Sequence, residues 1–125
     1  MIAIDTSAIV AILLMEPDAA RFARAIEKDD EPLREAASLV ELFLVMKHKQ
    51  GRASVALIEE LLVSGSVTVC AVTPEQARIA QEAAYRFREL NFGDTFSYAL
   101  ATEKGIRLLF KGIDFAATDL VAVEF

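Results

Sequence analysis

The sequence predicts an α/β fold in three layers, α/β/α, with helices on both faces of a short, mainly parallel central sheet. Three observations predict it. Short apolar runs of strand character alternate with longer segments of helical spacing along the whole chain. Strands joined through helices pair in parallel and are covered on both faces. At 125 residues and 54% apolar content, with no repeat, low-complexity tract or linker, residues 1–125 read as one domain with a proper hydrophobic core.

The elements follow in order. Ile2–Ile4 is the first strand, a helix runs from about Ser7 to Met15, and Pro17 breaks it. Asp18 to Lys28 is a second helix with Ala19, Phe22, Ala23 and Ile26 on one face. After the polar turn Asp29-Asp30-Glu31-Pro32, Leu33–Ala37 is a short strand or an extended entry to a helix over Ser38–Gln50, which Gly51 closes. Ser54–Ser64 is helical and Val67–Val72 is a strand. Thr73-Pro74-Glu75-Gln76 starts a helix, with proline at its first position and capping-box spacing, that runs to about Leu90. Asn91-Phe92-Gly93 breaks it, and Asp94 opens another helix that ends at Gly105. Ile106–Phe110 is a strand, residues 111–119 a loop, and Val121–Glu124 a last strand.

Composition excludes several functions. The longest apolar run, Ala8–Met15, is eight residues, against the roughly 20 needed to cross a bilayer. No basic segment precedes it, so it is no signal peptide, no membrane association is expected, and the expected location is the cytoplasm. One cysteine, Cys70 in a strand-like setting, rules out an internal disulfide and reads as a small buried hydrophobe. A net charge of −6 argues against a simple basic-patch nucleic-acid binder. It leaves room for an enzyme on nucleic acid, because a bound metal reverses the local field.

Acids that interrupt apolar or tightly structured context carry the chemical signal. Asp5 lies between a buried strand and a buried helix, where a lone carboxylate needs compensation by a helix N-terminus, a basic side chain or a metal ion. Glu41 is the one charge in Leu39–Met46; it is a ligand or base, or the partner of Ser38 in a capping box. Asp94 opens a helix with few other charges, and Asp114 and Asp119 lie in the loop beyond the last clear strand. In parallel sheets, sites form past the carboxyl ends of strands, which puts Asp5 and the 111–119 loop on one edge. Carboxylates gathered there repel one another, and a hard divalent cation removes that repulsion; all-oxygen donors favour Mg²⁺ or Mn²⁺ over zinc.

Other chemistries are poorly supplied. The single histidine, His48, sits in the polar Lys47–Gln50 stretch, and there is no GxSxG, GxxxxGK[ST] or GxGxxG. Asp5-Thr6-Ser7 is similar to the start of an aspartyl-phosphate phosphatase motif but lacks the second Asp two residues on.

The strand followed by Asp5-Thr6-Ser7, Ser38-x-x-Glu41, Asn91-Phe92-Gly93-Asp94-Thr95-Phe96-Ser97-Tyr98-Ala99-Leu100-Ala101, and Leu108-Leu109-Phe110-Lys111-Gly112-x-Asp114-Phe115-x-x-Thr118-Asp119, in this order, together resemble the PIN domain. More narrowly, they resemble VapC toxins of bacterial type II toxin–antitoxin modules, over residues 2 to about 121. The resemblance implies a PIN-like nuclease fold and a metal-dependent endoribonuclease acting on tRNA, rRNA or mRNA. It also implies a homodimer and a cognate VapB-type antitoxin. The family's acidic quartet maps onto Asp5, Glu41, Asp94 and Asp114, with Thr6 and Asp119 in outer positions. Ile113 stands where similar sequences carry Asn or Asp, which favours one bound ion over two.

On that basis Asp5 and Asp94 are the expected ligands of Mg²⁺ or Mn²⁺. Glu41 orients or deprotonates the attacking water, and Asp114 supports a further water or a weak second ion. A metal-activated water needs no ribose 2′-hydroxyl, so the expected products carry 5′-phosphate and 3′-hydroxyl ends. Lys111, Arg34 and Lys47 lead the candidate phosphate contacts, followed by Lys49, Arg52, Lys104 and Arg107. Phe92 and Phe115 are candidates for base stacking or core packing. The alternatives are a PIN nuclease of RNA processing outside a toxin system, a non-catalytic interaction module whose acids only cap helices, and a small phosphatase.

Overall fold

A computed structural model describes residues 1–125. Four short strands, β1 (Ile2–Ile4), β2 (Pro32–Glu35), β3 (Thr68–Cys70) and β4 (Arg107–Leu109), form one sheet in the order β3-β2-β1-β4. Every pairing is parallel, with Ala3 opposite Leu33 on one side and Leu108 on the other. Strand alternation sorts the core into two halves: Ile2 and Ile4 face one layer of helices, Ala3 the other.

The first layer contains α1 (Thr6–Leu13), α2 (Ala19–Lys28), α3 (Ala36–Gln50) and α4 (Ser54–Ser64). Ile9, Phe22, Ile26, Leu42, Met46 and Ile58 pack there against Ile2, Ile4 and Leu109. The second layer is α5 (Pro74–Arg86) and α6 (Phe92–Lys104), where Ala83, Tyr98, Leu100 and Ala101 cover Ala3, Leu33 and Leu108. α6 runs through the core, so its central residues are buried on almost every side. It ends at Gly105, whose left-handed backbone (φ 63°, ψ 39°) closes the helix. No helix is long and apolar enough to cross a membrane.

The chain steps outward from β1 to β2 and β3, then returns to place β4 on β1's other side. The crevice between the carboxyl ends of β1 and β4 is therefore the topological switch point, where α/β sheets bind their ligands.

Several boundaries differ from expectation. α5 ends at Arg86 instead of Leu90, because Phe87 leaves the helix (φ −123°, ψ 98°) and turns its ring onto Tyr98, 5.4 Å between centroids. Val121–Glu124 is no strand: it meets β4 only through a bridge at Leu108–Ala122, with the Leu108 amide and carbonyl as its partners. α3 begins two residues early, at Ala36, which places Ser38 inside the helix. Cys70 is half-buried at the edge strand, not fully enclosed.

Glu35, at the end of β2, is 1% exposed and neither carboxyl oxygen has a hydrogen-bond partner. Burial pushes its pKa up to about 7, with the Glu103 charge adding to the effect. A carboxyl raised this way is stable while protonated, so its penalty grows as pH rises from the unfolded value through about 7. Glu35→Gln is expected to stabilise the protein at about pH 8, on the order of 3 kcal/mol, and to leave it nearly unchanged at about pH 5. Urea denaturation at the two pH values measures this; equal effects at both would show that the carboxyl is already ionised without penalty.

Candidate metal centre

Asp5 follows β1 directly, and its side chain is the N-cap of α1. Oδ2 accepts from the Ser7 amide at 3.0 Å and the Ser7 hydroxyl at 2.6 Å, and Oδ1 accepts from the Ser97 hydroxyl at 2.6 Å. The cap is real, but three donors leave part of the carboxylate's acceptor capacity free. Capping therefore leaves Asp5 able to accept a further partner.

Asp94 is the third residue of α6 and not its opener, because Asn91 caps the helix two residues earlier than the glycine suggests. Its Oδ2 accepts from the Asn91 amide at 3.0 Å while Asn91 Oδ1 accepts from the Asp94 amide at 2.8 Å, a complete capping box. Burial, then the charges of Asp5, Asp114 and Glu41, push the Asp94 carboxyl up to about 7 against the opposing Asn91 hydrogen bond. Those three acids are therefore electrostatic neighbours of Asp94 despite coming from distant parts of the chain.

Glu41 makes no capping box. Ser38, inside α3, donates its hydroxyl to the Glu35 carbonyl at 2.9 Å, so the helix entry does not need Glu41. The Glu41 carboxylate lies instead over Gly93, where a Cβ would overlap it. This close approach requires the glycine and brings α3 against the start of α6. Asp114 is exposed in the loop after β4. The chain's ion pairs engage Asp29, Asp119, Glu16 and Asp18, and none of the four clustered acids.

Two outer positions and most of the basic ones need correction. The Thr6 hydroxyl is turned inward, accepting from Arg34 at 2.6 Å and facing the Ser38 carbonyl at 3.4 Å. Asp119 accepts from the Tyr98 hydroxyl at 2.6 Å and pairs with Arg86 at 3.6 Å, which commits it to the α5–α6 side. Arg34 is fully buried and cannot meet a phosphate; its guanidinium donates to the Ile4 carbonyl, Thr6 and the Ser38 carbonyl. Lys111 is neutralised by Glu16 at 2.6 Å and Asp18 at 3.0 Å. Lys104 and Arg107 sit where α6 ends and β4 begins, at the opposite edge of the sheet from the acids. Lys47 remains exposed in the last turn of α3. Phe115 is core, whereas Phe92 is 81% exposed and stands edge-on to Phe96 at the head of α6.

Ser7 and Ser97 are the residues that sequence reasoning missed. Ser97 lies three residues after Asp94 on α6, so helical spacing alone puts both on one face. What the spacing does not tell is that this face meets Asp5.

The donor set fits a hard divalent cation: four carboxylates, two without protein partners, with Asp94 raised first by burial and further by the charges of the other three. No three acidic, histidine or cysteine side chains already converge at ligating spacing. That arrangement suits an ion held by one or two carboxylates with the rest of its shell as water, the usual habit of Mg²⁺.

Comparison with known proteins adds three findings. The family model described as "PIN domain" matches residues 2–120. Ribonuclease VapC30 of Mycobacterium tuberculosis is 43% identical over 127 aligned residues, covering 96% of each chain. Ribonuclease VapC of Mycolicibacterium smegmatis is 40% identical, covering 97% of this chain and 98% of its own. Among solved structures, Mycobacterium tuberculosis VapC20, a sarcin-ricin loop cleaving toxin, superposes with a TM-score of 0.81 at 25% identity over 99% of both chains. VapBC2 from Rickettsia felis, bound to a DNA fragment from its promoter, gives 0.75 at 15% identity over 99% and 98%.

Gly93→Ala tests the packing of Glu41 on α6. Alanine is intrinsically favourable in a helix, and the obstructing atoms are the far end of a flexible side chain, so the fold should persist. Displacing that carboxylate should weaken Mn²⁺ binding by roughly tenfold in a calorimetric titration. A melting curve and an affinity both unchanged would mean that Glu41 has no fixed place at the site.

Proposed function

The chain belongs to the PIN-domain family of VapC ribonucleases, and from that membership we propose that it is an endoribonuclease toxin of a type II toxin–antitoxin module. The reading is supported by the surroundings of Asp94, which feels the charges of Asp5, Asp114 and Glu41, and by the Glu41 carboxylate lying over Gly93. The family is metal-dependent, and Mg²⁺ or Mn²⁺ is the ion proposed for this all-oxygen set. Residues 1–125 act as one nuclease domain in this reading, the partner is a VapB-type antitoxin, and the working form is a homodimer. An RNA substrate, tRNA, rRNA or mRNA, places the action in the cytoplasm.

Asp5 and Asp94 would hold the ion, each already oriented by its helix cap and, for Asp5, by Ser7 and Ser97. When bound, such an ion offsets the negative charge that grows on the phosphate and makes water easier to deprotonate. Glu41, without a capping duty, is free to take the proton from the attacking water. Asp114, exposed in the loop after β4, would hold a further water or a weak second ion. Phe92 offers a base an exposed aromatic face two residues from Asp94. Attack by water leaves a 5′-phosphate and a 3′-hydroxyl.

Asp5→Asn or Asp94→Asn should lower RNA cleavage by at least about a hundredfold, as should EDTA. The assay is cleavage of a total-RNA pool by antitoxin-free protein with the new ends mapped. Cyclic-phosphate ends, or cutting that survives EDTA, would overturn the mechanism. Phe92→Ala should raise KM about three- to tenfold with little change in kcat, since stacking binds substrate without touching the reacting atoms.

A further inference from the structure

Arg34 is a buried cation without a contacting counter-ion. It is 0% exposed, it belongs to none of the chain's ion pairs, and its Nε has no hydrogen-bond partner. Burying a cation this way is strongly unfavourable unless negative charge lies nearby. Its guanidinium donates to three acceptors on three elements: the Ile4 carbonyl of β1 at 3.0 Å, the Thr6 hydroxyl of α1 at 2.6 Å and the Ser38 carbonyl of α3 at 2.7 Å. Ile4 and Thr6 flank Asp5, and Ser38 lies one helical turn before Glu41. The arginine thus fastens together the two segments that carry these acids. Asp5 and Glu41 are also the negative charges whose fields act on it. It reaches them through space and makes no hydrogen bond to their oxygens.

We propose that Arg34 is a fixed internal counter-charge of the acid cluster, buried behind Asp5 and Glu41 without bonding to them, and that it restrains the affinity of the site for a divalent cation. This rests on the metal-nuclease reading above. The sign of its effect separates the proposal from a simple brace. Loss of a brace disorders the ligands and weakens ion binding, whereas loss of a nearby positive charge strengthens it.

The test is calorimetric Mn²⁺ binding at about pH 8 to antitoxin-free wild type, Arg34→Met, Arg34→Gln and Arg34→Lys, with Asp5→Asn as the site control and a melting curve for each. The neutral variants should bind Mn²⁺ roughly three- to tenfold more tightly. They should melt lower without the ion, since three acceptors lose their donor. Arg34→Lys, which keeps the charge, should stay within about twofold of wild type. If Arg34→Met does not fold, Arg34→Gln, with an amide donor for the carbonyls, carries the same comparison; if neither neutral variant folds, the counter-charge role yields to that of a structural brace. Equal or weaker binding by a folded neutral variant, or a lysine variant that behaves like it, overturns the proposal. Unchanged Mn²⁺ binding by Asp5→Asn would instead remove the metal reading on which it rests.

Discussion

The rest of this structure is arranged around one constraint: like charges brought to one edge of a four-stranded sheet. Asp5, Glu41, Asp94 and Asp114 come from the end of β1, from α3, from α6 and from the loop after β4. Burial first, and then their mutual repulsion, push the Asp94 carboxyl up. A fold that selected for stability alone would disperse them. Keeping them together makes sense where a cation is to be bound, and the surrounding architecture supplies partial compensation until it is.

That compensation uses groups with local duties of their own. Asp5 caps α1 and Asp94 completes the capping box that Asn91 opens on α6, both at helix N-termini whose dipoles favour negative charge. Capping and the proposed ion binding are therefore compatible at these residues. Glu41 is the exception: Ser38 bonds elsewhere and α3 begins earlier, so its carboxylate has no role in starting the helix. Gly93 makes room for it, and Ser7 and Ser97 fix the orientation of Asp5.

The same organisation bears on how RNA approaches a chain of net charge −6. Arg34 is spent inside the protein and Lys111 ties the loop after β4 to Glu16 and Asp18. Little free positive charge is left beside the acids, so in the proposed mechanism phosphate attraction there would fall to the ion. The base contact proposed for the exposed Phe92 would be insensitive to that deficit, since stacking requires no positive charge.

The order of strands and helices, the alternating core of β1 and the acids that break apolar context were legible in the sequence, because each depends on local spacing and on side-chain hydrophobicity. The element boundaries that failed were set by contacts: Phe87 leaves α5 to meet Tyr98, and Val121–Glu124 makes backbone bonds to Leu108 alone. Side-chain direction was equally illegible. Nothing local distinguishes a lysine that meets phosphate from one locked to Glu16, or a hydroxyl at Thr6 from those at Ser7 and Ser97. Sequence patterning determined which residues lie at the carboxyl edge, since strand and helix periods are properties of neighbours along the chain. Which of them face one another, and which cation is buried behind them, only the tertiary structure decided, because those contacts join β1, β2, α3 and α6 across long stretches of sequence.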